Sequence, residues 1–331
     1  MNFTVRLLLV LIKCSLFISV NTKNLAPESK IVGGHEARPH SHPFLVSLQS
    51  RFLWARIHNC GGAILNHRWV LSAAHCASES WLVRWLPLDA VAGIHDVNNY
   101  GKQAQVVRIS DRIPHPLYEG GIGPYDIAVF GTESPFVFTK YVQPVKMPNN
   151  YKIEGDSLKL AGWGVLKTTT FIPDLPSRLQ EVKVTYIPFD DCYQAIDKLT
   201  EDGEVNPLDR DANICTGPTT GGVAACNGDS GGPLIQYVPS IIADPNDPVE
   251  ENTEPWSGNN CDTNEQTTEG TQETSTAEIK GRQYEQDFVP VVIGVVSWGV
   301  APCGEKGAPT VYTNVSTYID FINYNIRDLY Y

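Results

Sequence analysis

Short apolar runs, rich in β-branched and aromatic residues and cut apart by glycine, proline and asparagine, limit what this chain can fold into. They fall at Phe44 to Leu48, Gly62 to Leu65, Trp69 to Ser72, Trp81 to Trp85 and Val106 to Ile109. A second set covers Leu158 to Ala161, Leu179 to Ile187, Gly232 to Gln236, Val289 to Trp298 and Thr310 to Asn314. Runs of this length, punctuated this often, read as strands of an all-β barrel or sandwich. The close differs: Val315, Ile319, Ile322, Ile326 and Leu329 recur at helical spacing, so a C-terminal helix is expected with its apolar stripe in the core. The 331 residues, 42% hydrophobic and 19% charged, suit one globular domain at the upper end of single-domain size. A net charge of −12 argues against nucleic acid as a partner.

One turn stands out. Gly228-Asp229-Ser230-Gly231-Gly232-Pro233 surrounds a serine with glycines, a composition that lets the backbone turn tightly and present its N–H groups outward. A serine hydroxyl is a weak nucleophile at neutral pH and requires a base and a group to orient that base. The base candidate is His75, delivered by the run Trp69-Val70-Leu71-Ser72-Ala73-Ala74 and followed by Cys76. The acid candidate is Asp126, an isolated carboxylate at the mouth of Ile127-Ala128-Val129-Phe130. Any one of these residues alone has an ordinary structural reading; the three motifs together, in the order histidine, aspartate, serine, do not.

With these motifs the chain resembles the trypsin/chymotrypsin family of serine endopeptidases from Ile31 to about its C-terminus, with one interruption. The resemblance implies two six-stranded antiparallel β-barrels with the active site between them. It implies Ser230 as nucleophile, His75 as general base and then acid, Asp126 as the group that holds the imidazole, and an oxyanion site from the N–H groups of Gly228 and Ser230. Protein or peptide substrates follow. It also implies activation by cleavage after Lys30, freeing the Ile31 α-amino group to pair with Asp229; the chain as written is then a zymogen with residues 23–30 as a short propeptide. The family's calcium loop supplies carboxylates where this chain has Ile94 and Ala104, so no metal and no cofactor is expected. A homologue that has lost proteolysis and serves as a binding or regulatory module is the alternative reading.

Residues 1–22 carry Arg6 and then two apolar stretches, Leu7 to Ile12 and Ser15 to Val20, and read as a secretory signal peptide rather than a membrane span, which needs ~20 uninterrupted apolar residues. Of eight cysteines, Cys14 lies in that segment, leaving seven. Family position pairs Cys60 with Cys76, Cys192 with Cys215 and Cys226 with Cys303, and places Leu158 and Gln236 where a further bridge would stand, so both halves of that bridge are missing together. Cys261 is left over, and a monomer is expected unless it links two chains.

Cys261 sits in the stretch from about Pro239 to Pro290, which holds twelve acidic residues against Lys280 and Arg282. Ten of the chain's twelve net negative charges are concentrated there. The composition is that of a solvated loop, inserted between two strand-like runs, and it offers an acidic surface to a basic partner. Asn314-Val315-Ser316 is a glycosylation sequon.

Specificity is read by position. Ala224 falls at the base of the primary pocket, where a trypsin-type enzyme carries an aspartate; a substrate lysine would enter unpaired and lose its hydration. Gly299 and Thr310 match the lining positions, and Thr310 makes the inner pocket shallow. The expected preference is for small to medium apolar residues, elastase-like shading to chymotrypsin-like, so a separate trypsin-like protease must perform the cut after Lys30.

Overall fold

The computed structural model describes residues 33–78, 86–148, 153, 158–165, 176–200, 203–240 and 288–327. The signal segment, Lys30, Ile31, the run Trp81 to Trp85, Cys261 and nearly all of the acidic stretch lie outside the described residues.

Among the described residues the strands are β1 (His35–Glu36), β2 (Leu45–Phe52), β3 (Ala55–Ile64), β4 (Trp69–Ser72), β5 (Leu88–Ala92), β6 (Gln105–Pro114) and β7 (Ala128–Thr132). They continue with β8 (Leu158–Gly162), β9 (Gln180–Ile187), β10 (Asn213–Gly217), β11 (Pro233–Pro239), β12 (Phe288–Gly299) and β13 (Thr310–Asn314). The first barrel closes in the order β2-β3-β4-β7-β6-β5. In the second, β8 pairs with both β9 and β11, which closes the ring β8-β9-β10-β13-β12-β11; β1 adds to the free part of β9. All pairings in both rings are antiparallel, as the resemblance implies.

The strands that matter for function are buried on both faces, because each serves two cores at once. Along β4, Val70 fills the first barrel while Leu71 points into the layer between barrels; along β7, Ala128 and Phe130 face inward and Val129 outward. The second barrel does the same with Leu234 against Ile235 on β11, and with Ile293 against Val292 on β12. This period-2 division is what strand geometry imposes. It ties the two barrels through one continuous apolar layer, and the chain ends that leave this layer are held at fixed spacing.

Three shorter elements complete the frame: α1 (His75–Ser78), α2 (Phe189–Asp197) and α3 (Ile319–Asn325). The expected C-terminal helix forms with a difference, since Val315–Tyr318 is a 3-10 turn and the α-helix proper begins at Ile319. Asn314 causes this by capping: its Oδ1 accepts the Ser316 N–H at 3.2 Å, while its Nδ2 donates to Asp211 O at 3.1 Å. Strands β5 and β10 and helix α2 had no clear signal among the apolar runs. Helix α2 carries only Cys192 and Ile196 as buried residues, too few to show a period in the sequence.

Disulfides join Cys60 to Cys76, Cys192 to Cys215 and Cys226 to Cys303. Leu158 and Gln236 face each other directly across β8 and β11. Strands β11 and β12 stay paired out to Pro239 and Phe288, so the acidic stretch connects the far end of a hairpin.

The N-terminal strand is anchored by one carboxylate. Glu181 accepts from His42 Nε2 at 2.7 Å and sits 3.3 Å from His35 Nε2 and 3.7 Å from Lys159 Nζ. The His42 hydrogen bond, aided by the charges of His42, Lys159 and His35, lowers the Glu181 carboxyl to about 2 against the cost of burial. A depressed carboxyl stabilises the fold above its unfolded value and loses that contribution as pH falls toward about 2. Glu181→Gln is therefore expected to lower unfolding stability by ~1–2 kcal/mol at pH 7 in urea melts, with little difference from the parent near pH 2. Equal stability of the two proteins at pH 7 would remove Glu181 as the anchor.

Candidate active site

Strands β4 and β7 pair side by side with Ser72 opposite Ala128. His75 follows the end of β4 and Asp126 precedes the start of β7, so one strand pairing brings both to the same edge of the inter-barrel layer. Ala73 and Ala74 are fully buried at that edge. Ser72 Oγ donates to Gly61 O at 2.8 Å, and Cys60–Cys76 ties β3 to α1, so the histidine's backbone is fixed on two sides.

Asp126 is buried and its oxygens are satisfied. Oδ1 accepts the His75 backbone N–H at 2.9 Å; Oδ2 accepts from His75 Nδ1 at 2.8 Å and from the Ser297 hydroxyl at 2.5 Å. Its backbone carbonyl accepts from Thr313 Oγ1 at 2.7 Å. A carboxylate on Nδ1 places the ring's donor there and leaves Nε2 as the basic nitrogen. The residue before it is strained: Tyr125 has φ 67°, a left-handed conformation that costs a non-glycine residue roughly 1 kcal/mol or more. Its surroundings hold it there. The Tyr125 N–H donates to Tyr318 Oη at 3.0 Å, and its ring stacks on His115 with centroids 4.8 Å apart.

The Ser230 turn is set by three backbone hydrogen bonds and one from a side chain. Val165 N–H donates to Asn227 O at 2.8 Å, and a trans peptide then points the Gly228 N–H the opposite way. Gly232 N–H donates to Asp229 O at 2.9 Å, which turns the Ser230 N–H by the same logic. From β3, Gly61 N–H donates to Ser230 O at 2.8 Å and His58 Nε2 donates to Gly228 O at 2.8 Å. Among the described residues no acceptor takes the N–H of Gly228 or Ser230, so both donors are open. Gly228 has φ 98°, which only glycine adopts readily.

Asp229 points away from the cleft into a slot made by Gly162-Trp163-Gly164. A Cβ at Gly162 would lie 2.2 Å from Asp229 Oδ1, and one at Gly164 would lie 2.4 Å from its Cγ. The two glycines on either side of Trp163 are therefore the space the carboxylate occupies. It accepts from Gly164 N at 2.8 Å and Cys226 N at 3.0 Å. Complete burial pushes its carboxyl up from 3.8 to about 6, with the two backbone donors pulling the other way. Ile31, its expected partner, lies outside the described residues.

His75 and Ser230 line one cleft of about 450 Å³. Its other lining residues are Tyr118, Gly120, Gly121 and Ile122, the run Val296 to Ala301, and Ala225, Cys226, Asn227, Cys303 and Thr310. Gly299 and Thr310, expected at the pocket lining, are among these residues. Ala224, expected at the pocket base, is buried beside this lining, and the N–H of the next residue, Ala225, donates to Thr310 Oγ1 at 3.1 Å.

The grouping Cys60, His75 and Cys76 brings three ligand types together, but both sulfurs are spent in the disulfide and supply no thiolate. Ile94 is buried and Ala104 packs against the core.

Three contributors escaped the sequence. Ser297 reaches Asp126 across 171 positions, His58 reaches Gly228 across 170, and Tyr318 reaches Tyr125 across 193. None lies in a local pattern, and only the closed barrels bring them within hydrogen-bond distance.

The comparisons with known proteins agree with this geometry. A family model described as Trypsin matches residues 31–241 and 281–322. The chain is 29% identical to Lectizyme of Glossina austeni over 314 residues, 91% of this chain and 88% of that protein. It is 26% identical to human Kallikrein-14, over 93% of this chain and 88% of its relative. With Granzyme-like protein 1 of Rattus norvegicus it shares 32% identity over 67% of this chain and 84% of that protein. Double barrel, paired His75 and Asp126, an exposed-donor turn at Ser230 and a family match over most of the length converge: the chain belongs to the trypsin family of serine endopeptidases.

Proposed function

We propose that the chain is a secreted zymogen which, once cut after Lys30, hydrolyses peptide bonds following small to medium apolar residues. The observation that carries the catalytic part is the His75–Asp126 hydrogen bond sharing a cleft with Ser230 and its two open N–H donors. Ser230 attacks the scissile carbonyl as His75 Nε2 takes its proton; His75 then returns that proton to the leaving amine. Asp126 keeps the imidazole in the required tautomer and opposes its positive charge. The N–H groups of Gly228 and Ser230 hold the developing oxyanion, each worth roughly 3–4 kcal/mol in a preorganised site. Water then resolves the acyl-enzyme by the same steps in reverse order.

The preference for small apolar residues is supported by a cleft whose lining residues include Thr310 and no carboxylate. Burial of a lysine ammonium there would go unpaired, at a cost of several kcal/mol. The test is a peptide-library profile of the protein cut at Lys30, with Ser230→Ala as control. Cleavage after Ala, Val or Leu, absent in the control, is expected, and cleavage centred on Lys or Arg would overturn the assignment. Thr310→Gly is expected to deepen the pocket and shift relative kcat/KM toward Phe and Tyr by about tenfold or more. Because the mature pocket rejects lysine, activation falls to a separate trypsin-like protease. Self-processing of purified uncut protein, abolished by Ser230→Ala, would refute that.

Secretion is supported by the leader-like residues 1–22 and by three disulfides. The acidic insertion is supported as a separate surface by the gap between the two matched segments and by its origin at the far end of the β11–β12 hairpin, six residues or ~20 Å along the strand from Pro233. Its partner would be basic.

A further inference from the structure

Asn227-Gly228 is the only asparagine–glycine pair in the 331 residues, and it falls in the turn that carries the nucleophile. The glycine is required there by its φ of 98°. Its N–H must stay open to hold an oxyanion, and among the described residues no acceptor takes it. Asn227 is exposed on the lining of the cleft, although Cys226 and Asp229 on either side of the pair are buried. Among the described residues its side-chain amide has no hydrogen-bond partner.

The glycine and the open N–H serve catalysis, and the same two features expose the turn to its own chemistry. Asparagine is a thermolabile side chain. Its carbonyl carbon lies one succinimide ring away from the next peptide nitrogen, and here that nitrogen carries neither an acceptor on its hydrogen nor a neighbouring Cβ to hinder closure. We infer that Asn227 is a site of spontaneous deamidation, and that closure of its side chain onto the Gly228 nitrogen removes the oxyanion donor and limits the working life of the enzyme. The loss of activity rests on the proteolytic reading above, whereas the modification does not.

Hydroxide takes the proton from the Gly228 nitrogen, which adds through its electron pair to Asn227 Cγ. The Cγ–Nδ2 bond then breaks, its electrons leave with the nitrogen, and a proton from water completes ammonia and restores hydroxide. Nothing is oxidised or reduced. The succinimide has no N–H at residue 228, so the donor is gone. Water opens the ring at either carbonyl. Opening at the main-chain carbon gives isoaspartate: the Gly228 N–H returns displaced by one carbon, on a peptide that no longer includes the oxygen held by Val165 N–H at 2.8 Å. Opening at Cγ gives aspartate, whose charge at the cleft opposes the developing oxyanion. A ligand oxygen that accepts from Gly228 N–H works against ring closure, so the empty enzyme ages faster than the occupied one.

The chemical step is read in Ser230→Ala protein cut after Lys30, which removes self-digestion, beside a free peptide of residues 225–233. Conversion of Asn227 to aspartate and isoaspartate, mapped by mass spectrometry, is expected in both and faster at pH 8 than at pH 6. Asn227→Gln is expected to stay unconverted, because its longer side chain must close a larger and slower ring. The active cut protein, aged in the same way, is expected to lose kcat on a chromogenic substrate in proportion to the Asn227 converted. Its converted fraction, isolated by anion exchange, should have kcat lower by about 10²-fold or more, the scale of one oxyanion donor. Asn227→Gln, compared with its own starting rate, should hold that rate. A peptide boronate bound to Ser230, with its oxygen on the Gly228 N–H, should slow conversion severalfold. Intact Asn227 in the folded protein after the free peptide has fully converted overturns the inference, and so does a converted fraction with the parent's kcat. Conversion in Ser230→Ala protein beside a fresh cut parent that cleaves nothing supports the modification and refutes the proteolytic reading instead.

Discussion

Asp126→Asn is expected to lower kcat by about 10⁴-fold on a peptide substrate while reducing unfolding stability by no more than about 2 kcal/mol. Three donors converge on the Asp126 carboxylate: the His75 N–H, His75 Nδ1 and the Ser297 hydroxyl. An asparagine has one accepting oxygen, so its NH₂ must face at least one of those donors. The hydroxyl of Ser297 can rotate to accept, and the backbone N–H cannot. The amide oxygen is thereby held on the backbone side, and the NH₂ faces the ring, forcing Nδ1 to accept and moving the proton to Nε2. That nitrogen can no longer take a proton from Ser230. Steady-state kinetics on the cut protein, beside urea melts of parent and variant, measure both halves of the prediction. A loss in kcat below tenfold with unchanged melts would mean that Asp126 does not set the tautomer.

Cleavage after Lys30 is expected to raise activity by at least about 10²–10³-fold, the scale of one oxyanion donor. The physical reason is Asp229. Its buried carboxyl stands at about 6 against 3.8 when exposed, so holding it ionised costs the uncut chain about 3 kcal/mol. The sign follows from the raised value: stability falls as pH rises from 3.8 to about 6, and the full penalty is present above that. A freed Ile31 ammonium beside it would offset the penalty and fix the turn carrying Gly228 and Ser230. In the Ser230→Ala background, the cut protein should therefore be more stable than the uncut one at pH 8. The gap should narrow as pH falls through about 6 toward 4, where the uncut chain takes up a proton on Asp229. Lys30→Gln should keep the protein inert after trypsin treatment. A stability gap that is the same at pH 8 and pH 5 would rule out Ile31 as the partner of Asp229.

These effects differ in how they could be foreseen. His75, Asp126 and Ser230 are legible because each sits at the end of a strong local signal: an apolar strand with small residues after it, a carboxylate opening a β-run, a glycine-rich turn. The purpose of the glycines flanking Trp163 was not legible, since the atom they make room for is Asp229, 65 positions away. Strand β5, which supports the first barrel, went unread because Leu88-Asp89-Ala90-Val91-Ala92 mixes small residues with a buried Asp89 that is paired to Arg56 from β3.

By itself, the sequence determined the all-β class, the C-terminal helix, the three chemical groups and their order, because strand period, turn composition and residue chemistry are local properties that a window of residues carries. Tertiary structure alone decided the rest: two closed rings sharing one apolar layer, Ser297 on the Asp126 carboxylate and His58 behind the oxyanion turn. Each of those depends on atoms brought together only when barrel closure sets strands separated by many tens of residues against one another.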